Sequence, residues 1–231
     1  MIADDLLARL ARLETGQVSD VLDEAGMPHH ALSSSLLPLA PGAFAGRAAV
    51  VRGVAVGEMR NAPPALPTDA IERLVSPGTV VVLDAGGFRE GAVMGGFVAL
   101  SLQRRGAVAV VTDGAVRDVD EIRGLGLPVV AGAVTPINGS RRWRLVEADV
   151  PGTLPGQVNA PVRISPGDLV LGDGDGVIVV PKDVAEGIVE DAEELQHIET
   201  RIREAMAEGA EKADAFKANP RFAHIRPAVR P

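Results

Sequence analysis

The stretch RRGAVAVVTDGAVRDVDEIRGLGLPVVAGAV, from Arg104 to Val134, decides how the chain folds. Its first part, Ala107 to Thr112, is a short run of small and β-branched residues with no polar break. A run of that length and composition reads as a strand buried on both faces. Asp113 and Gly114 then interrupt the run, and VDEIRGLG has the spacing of a short helix. LPVVAGAV, from Leu127 to Val134, reads as a second strand. Strand, helix and strand in this order form a crossover unit with parallel strands.

The pattern extends upstream. PGTVVVLDAGG gives a buried strand over Thr79–Leu83, and GGFVALSLQRRG gives a helix from Gly96 to Arg105. DDLLARLARLETG carries Leu6, Leu7, Leu10 and Leu13 on one helical face, and GQVSDVLDEAG predicts a second helix ending near Gly26. Met27 to Pro41 is rich in Pro and Ser and reads as loop; Gly46 to Val56 reads as a strand. NAPPALPTD reads as loop, with Thr68 or Asp69 capping a short helix through AIERLV. Downstream, APVRISPGDLVLGDGDGVIVVP predicts short strands joined by turns, and Asp183 is placed to cap a long closing helix. The expected organisation is a single α/β domain over residues 1–209 and an extended C-terminal arm over 210–231.

Composition narrows the class of function. Hydrophobic residues make up 46% of the 231 residues and aromatics only 3%, so the chain is globular with a core of Val, Leu, Ile and Ala. The absence of cysteine removes thiol nucleophiles, disulfides and thiolate metal sites, and suits a cytoplasmic setting. A net charge of −8 argues against non-specific binding to nucleic acid. The N-terminus has no signal-peptide pattern, and no uninterrupted apolar run reaches the roughly 18 residues of a membrane span.

The strand and helix lengths place two motifs together. A helix of ~10 residues rises about 15 Å, and a strand of ~5 residues about 17 Å. The start of the helix at Gly96 should therefore lie at the same sheet edge as the end of the strand leading to DGAVRD, where ligands of open α/β sheets bind. Gly95 and Gly96 open the helix without side chains, leaving the N–H groups of Phe97 and Val98 free to receive an anion. Arg117 can bind a carboxylate with its planar fork, and Asp118 can hold a hydrated divalent cation. Together they suit a 2-oxo acid and a metal. An adjacent Arg–Asp pair in a polar loop also occurs simply as a solvated pair.

RRGAVAVVTDGAVRDVDEIRGLGLPVVAGAVTP and SPGDLVLGDGDGVIVVP resemble the RraA-like family over about Thr15 to Gly209. That family includes the class II 4-hydroxy-4-methyl-2-oxoglutarate aldolases and the ribonuclease regulator RraA. The resemblance implies a layered α/β sandwich related to the phosphohistidine swivelling domain, with a long C-terminal helix. It implies a trimer, or two stacked trimers, with sites between subunits. The implied reaction is a Mg2+- or Mn2+-dependent retro-aldol cleavage releasing pyruvate, with oxaloacetate decarboxylation through the same pyruvate enolate. By the same resemblance, Arg117 binds substrate, Asp118 binds metal, Gly95 to Val98 hold the pyruvyl carboxylate, and Glu199 reaches in from a neighbouring subunit. One position departs: where the aldolases carry a second acid, this chain has Gly96. Glu90, in GGFREG, is near enough in sequence to replace it. The regulators commonly lose the aspartate that is intact here as Asp118, which favours an enzyme over a non-catalytic regulator.

Other polar features read as structure. GDGDGV, Gly172 to Val177, lacks the later ligands of a calcium loop and suits a hairpin turn. His29 and His30 sit in a Pro- and Ser-rich loop, and neighbouring histidines rarely point the same way. Trp143 fits either an interface or the core.

Overall fold

The computed structural model describes residues 4–57, 63–158 and 160–228. Four parallel strands form its centre: β2 (Phe44–Ala55), β3 (Thr79–Asp84), β5 (Ala107–Thr112) and β7 (Val129–Ala131). They lie in the spatial order β7-β5-β3-β2 within an eight-stranded sheet. β1 (Leu37–Ala40) closes one edge antiparallel to β7. At the other side the long β2 carries two partners in succession. Its N-terminal part pairs with β12 (Leu169–Gly172), and its C-terminal part with β9 (Trp143–Ala148). β13 (Val177–Val180) pairs antiparallel with β12 beyond it.

Both faces of the central strands are buried, which is why they read as unbroken apolar runs. Val81, Leu83 and Val110 face a cluster that includes Ala99 and Leu102 of helix α3 (Gly96–Arg104) and Ile122 of α4 (Val119–Leu125). Val80, Val82, Ala109 and Val111 face the opposite cluster. That side is covered by Leu154 of β10 (Gly152–Pro155) and by Val162 and Ile164 of β11 (Pro161–Ile164). A third cluster sets α1 (Asp4–Leu10), α2 (Thr15–Glu24) and the 23-residue α5 (Ala185–Ala207) on β12 and β13. Trp143 is core: its indole lies so close to Gly53 that a Cβ there would meet the ring at 1.9 Å. The result is a layered α/β fold with a long C-terminal helix.

Several expectations are corrected. The Met27–Pro41 loop contains β1, because an edge strand tolerates Pro38, whose missing N–H leaves no gap inside the sheet. LPVVAGAV does not form a single strand. It breaks at Gly132 into β7 and β8 (Ala133–Val134), which belong to different sheets. AIERLV gives only a 3-10 turn at Glu72–Leu74, and Asn61 and Ala62 of the preceding loop lie outside the described residues. Asp183 caps nothing: α5 starts from Val184 without a side-chain cap.

The arm beyond Gly209 is folded. It forms α6 (Lys212–Ala218) and then returns across α5. The backbone N–H and Nε of Arg226 donate to the buried carboxylate of Asp191 at 3.0 and 2.9 Å, and the N–H of Ala228 donates to the Ala25 carbonyl at 2.9 Å. Asp191 looks like one more solvated acid in the helix sequence; only the returning chain reveals its partner. Residues 229–231 of the arm lie outside the described residues.

GDGDGV forms the turn between β12 and β13, and Asp173 within it has a second task. Its carboxylate receives the backbone N–H of Thr15 at 2.8 Å and the Thr15 hydroxyl at 2.7 Å, capping α2 from a distant part of the chain. Burial pushes this carboxyl's pKa up, but the bonds from Thr15, Asp175 and Gly176 outweigh it and hold it below the usual value. The stabilisation is therefore present above the ordinary aspartate pKa and is lost as pH falls through the lowered one. Asp173→Ala should cost about 1–2 kcal/mol at neutral pH, as lost helix caps do. Urea denaturation of both proteins should show that difference shrinking as pH falls below the ordinary aspartate value and through the lowered one.

Candidate functional site

Two short strands, β4 (Ala92–Met94) and β6 (Ala115–Val116), form with β8 a parallel three-stranded sheet apart from the main one. Sequence reading misses β4 and β6 because two or three residues carry no period. Their C-terminal ends deliver Gly95–Gly96 and Arg117–Asp118 to one place. The N–H of Arg117 donates to the Met94 carbonyl at 3.1 Å, which fixes the register of the two ends.

VTDGAVRD is anchored by its first carboxylate. Asp113 is buried and receives the N–H groups of Ala85 at 2.7 Å and Gly87 at 2.6 Å. Thr112 donates its hydroxyl to the Leu83 carbonyl at 2.7 Å. These bonds tie the end of β5 to the turn leaving β3. Burial pushes the Asp113 carboxyl up from its ordinary value; the two N–H bonds oppose that, and the charge of Asp84 adds to it. A folded-state pKa above the unfolded one means that Asp113 favours folding most at low pH. That contribution falls as pH rises through the raised value.

The second carboxylate faces outward. Asp118 precedes α4 with φ 59° and ψ 37°, the left-handed region, which costs a non-glycine residue energy unless the surroundings hold it there. This backbone turns the carboxylate back onto the start of α3. Asp118 Oδ2 receives the N–H of Gly96 at 3.1 Å and lies 3.4 Å from Arg117 Nε. A Cβ on Gly95 would come within 2.6 Å of the same oxygen, so a glycine is required for the approach. Ala99 makes the first intrahelical bond, to the Gly95 carbonyl, so Phe97 and Val98 lie in the turn whose N–H groups have no helical acceptor. Arg117 and Asp118 are each about a third exposed, at 34% and 37%, which leaves both accessible to a small ligand.

The space over Gly96 is filled by a residue the sequence reading did not single out. A Cβ there would lie 2.2 and 2.6 Å from the carboxylate oxygens of Glu121. Glu90 is exposed on the loop after β3 and does not fill it. Glu121 follows Asp118 by three residues in the first turn of α4, a spacing from which a side chain can reach back toward the residue that opens the helix.

Glu199 stands elsewhere. Its carboxylate on α5 accepts from Gln17 Nε2 at 3.1 Å, from Arg203 at 3.2 Å and from Arg221. Within one chain it is not joined to Arg117 or Asp118. Two cavities of about 390 and 530 Å³ also lie away from this edge. The first is lined by Thr15, Ser19 and Asp173, whose carboxylate is already committed to α2. Among the described residues no group of three His, Asp or Glu side chains is set to hold a metal, so a cation at Asp118 would keep much of its water. No helix among them is long and apolar enough to cross a membrane.

In this layered α/β fold the start of α3, with its unpartnered N–H groups, faces the Arg117–Asp118 pair. A family model described as Aldolase/RraA matches residues 15–179, and the chain belongs to that RraA-like family. A 4-hydroxy-4-methyl-2-oxoglutarate aldolase of Thermus thermophilus is 34% identical over 105 residues, 46% of this chain and 60% of that one. An uncharacterized protein of Methanocaldococcus jannaschii is 35% identical over 127 residues, 55% of this chain and 58% of that one. The matched region thus spans little more than half the length of these relatives. Among solved structures, Streptomyces coelicolor RraAS2, described as an unusual member of the RNase ES inhibitor RraA family, aligns with a TM-score of 0.75. It is 28% identical and covers 87% of this chain and 96% of its own.

Asp113→Asn tests the anchor of the loop. An amide offers only one acceptor oxygen to the two N–H groups of Ala85 and Gly87 and turns a donor toward the other. The substitution should lower stability by about 1–3 kcal/mol, the cost of leaving buried donors unpaired. Equilibrium denaturation at neutral pH is the check.

Proposed function

We propose that this protein is a divalent-metal-dependent lyase. It cleaves a 4-hydroxy-2-oxo acid to release pyruvate and decarboxylates oxaloacetate through the same enolate. The observation that carries this reading is Asp118, held in a left-handed conformation with its carboxylate against Gly96 and beside Arg117. A strained acid at an exposed edge is costly to maintain and is a mark of function.

The donor set fits a hydrated Mg2+ or Mn2+. Asp118 offers a hard carboxylate oxygen at a partly exposed edge, where a cation bound to it could keep several waters. The bound cation supplies Lewis-acid stabilisation of negative charge building on the substrate's keto oxygen. The chain itself does the rest. The first-turn N–H groups of Phe97 and Val98 receive the pyruvyl carboxylate. Arg117 holds that carboxylate or polarises the keto oxygen with its fork of donors. In the aldol cleavage a proton leaves the C4 hydroxyl, the C3–C4 bond breaks, and the electron pair stays on the pyruvyl half as an enolate. That enolate is protonated at C3. In oxaloacetate carbon dioxide departs instead, and the enolate meets the same fate.

The exposed apolar residues beside the site motivate a homo-oligomer, a trimer or hexamer, with sites between subunits. Phe97 is 83% exposed, Val134 53% and Ile137 45%. Glu199 would then act from a neighbouring copy, in competition with its own Arg203 and Arg221. A cytoplasmic setting goes with the cysteine-free sequence. The second reading is a non-catalytic regulator that binds a protein partner such as a ribonuclease. Gly96 favours it, since the aldolase acid is missing there.

Pyruvate release from oxaloacetate, followed with Mg2+ or Mn2+ above the rate of the metal alone, tests the lyase. Asp118→Ala should lower kcat at least about 100-fold, the upper end of what losing even an outer partner costs. Arg117→Lys keeps the charge but loses the fork, and should raise KM about tenfold or more. A regulator would show neither turnover nor Mg2+ uptake that depends on Asp118 in calorimetry. For the assembly, light scattering should give a trimer or hexamer mass, and Phe97→Asp should shift it toward the monomer.

A further inference from the structure

We infer that Asn138 is a site of spontaneous covalent modification: the backbone nitrogen of Gly139 displaces its side-chain amide, and one of the two products disturbs the support of β4.

The chain has four asparagines, and Asn138 alone is followed by glycine. Ala62, Ala160 and Pro220 follow Asn61, Asn159 and Asn219. Ring closure onto an asparagine brings the next residue's nitrogen against Cγ, and a Cβ on that next residue obstructs the approach. Glycine has none. Packing holds position 139 to glycine, because a Cβ there would meet the carbonyl oxygen of Ala92 at 2.2 Å and its carbon at 2.8 Å. The fold therefore cannot shield Asn138 with a bulkier neighbour.

The surroundings of Asn138 favour the attack. The residue is exposed in the β8–β9 connection, as are Ser140, Arg141 and Arg142. The N–H of Ser140 donates to Asn138 Oδ1 at 2.8 Å, which folds the side chain over the Gly139 peptide. The same donor stabilises the negative charge that this oxygen takes when Cγ is attacked. Arg142 Nη1 donates to the Asn138 main-chain carbonyl at 3.0 Å. That carbonyl and the Gly139 nitrogen belong to one peptide, so the guanidinium favours the form in which the nitrogen has lost its proton. The bridge between Ala92 and Asn138 seats this peptide on β4, and closure takes place as the exposed turn opens locally.

In the reaction the Gly139 nitrogen loses its proton to water and bonds to Cγ. The Cγ–Nδ2 bond breaks, and the amide nitrogen takes up a proton and leaves as ammonia. A cyclic imide remains, and water opens it at either carbonyl. Opening at the side-chain carbonyl gives aspartate. Opening at the main-chain carbonyl gives a β-linked residue, whose main chain runs through Cγ and is longer by a methylene.

Position makes the second product matter. The Ala92 N–H donates to the Ile137 carbonyl at 2.8 Å, and Gly139 lies against Gly91 and Ala92. β4 starts at Ala92 and leads to Gly95, which opens α3. A lengthened main chain at position 138 displaces this contact and, through β4, the start of α3. Aspartate keeps the main-chain length and sets its charge beside Arg142.

In the experiment the full-length folded protein is held in mildly alkaline buffer at body temperature and then digested with trypsin. The fragment from Gly124 to Arg141 is followed by chromatography and mass spectrometry. Asn138 should lose its amide progressively and give both products, while the fragments carrying Asn61, Asn159 and Asn219 keep their mass. Asn138→Gln should abolish the conversion of this fragment. If the fragment keeps its mass in the folded protein but converts in protein unfolded by urea, the fold shields the peptide and the inference falls. Oxaloacetate turnover reads the consequence, and this readout alone rests on the lyase reading. Turnover of the aged parent should fall in step with the β-linked product, whereas fresh Asn138→Asp should match fresh parent. Turnover that stays level as the β-linked product accumulates would overturn the link to β4. A fresh parent without oxaloacetate activity would end the lyase reading and leave the modification to be decided by mass.

Discussion

The candidate site depends on the carboxylate of Asp113. It receives N–H groups from Ala85 and Gly87, and so clamps the chain leaving β3 to the chain leaving β5. Everything downstream takes its position from that clamp. β6 starts two residues later, lies beside β4, and carries Arg117 and Asp118 to the start of α3. A buried charge is an expensive clamp, and burial pushes its pKa up accordingly. It is tolerated because both oxygens are used by backbone donors that would otherwise be unpaired.

The division of labour within eight residues follows from burial. Asp113 and Asp118 are chemically identical, yet Asp113 is sealed among backbone amides while Asp118 sits in a left-handed turn at an accessible edge. The first is committed to architecture, and the second stays accessible at the edge. The strain at Asp118 and the bare backbone of Gly95 belong together. The carboxylate reaches the Gly96 N–H only because the turn directs it there and no Cβ stands in the way. Phe97 stands exposed beside this edge.

Much of this was legible in residue order. Thr79–Leu83 and Ala107–Thr112 are strands buried on both faces, and a continuous apolar run between turn signals announces that without further context. The helix beginning at Gly96 and its meeting with DGAVRD follow from the lengths of the elements alone. What escaped were features set by partners far away in sequence. Pro38 reads as loop until β7 is seen beside it. Asp173 reads as a turn residue until Thr15 arrives from the other end of the chain. Asp191 reads as a solvated acid until the tail returns with Arg226.

The sequence by itself determined the α/β frame, the family, the pairing of the glycine-opened helix with Arg117 and Asp118, and the lack of an acid at position 96. Each is a local pattern: a periodicity, a spacing or a residue type. Tertiary structure decided what stands over Gly96, because that depends on how α4 packs against α3. The occupant is Glu121, not the Glu90 that lies nearer in the chain. It also placed Glu199 in the grip of Arg203 and Arg221 and folded the tail back onto α5. Contacts between side chains distant in sequence are set by the three-dimensional path of the backbone, and no local pattern in the sequence encodes them.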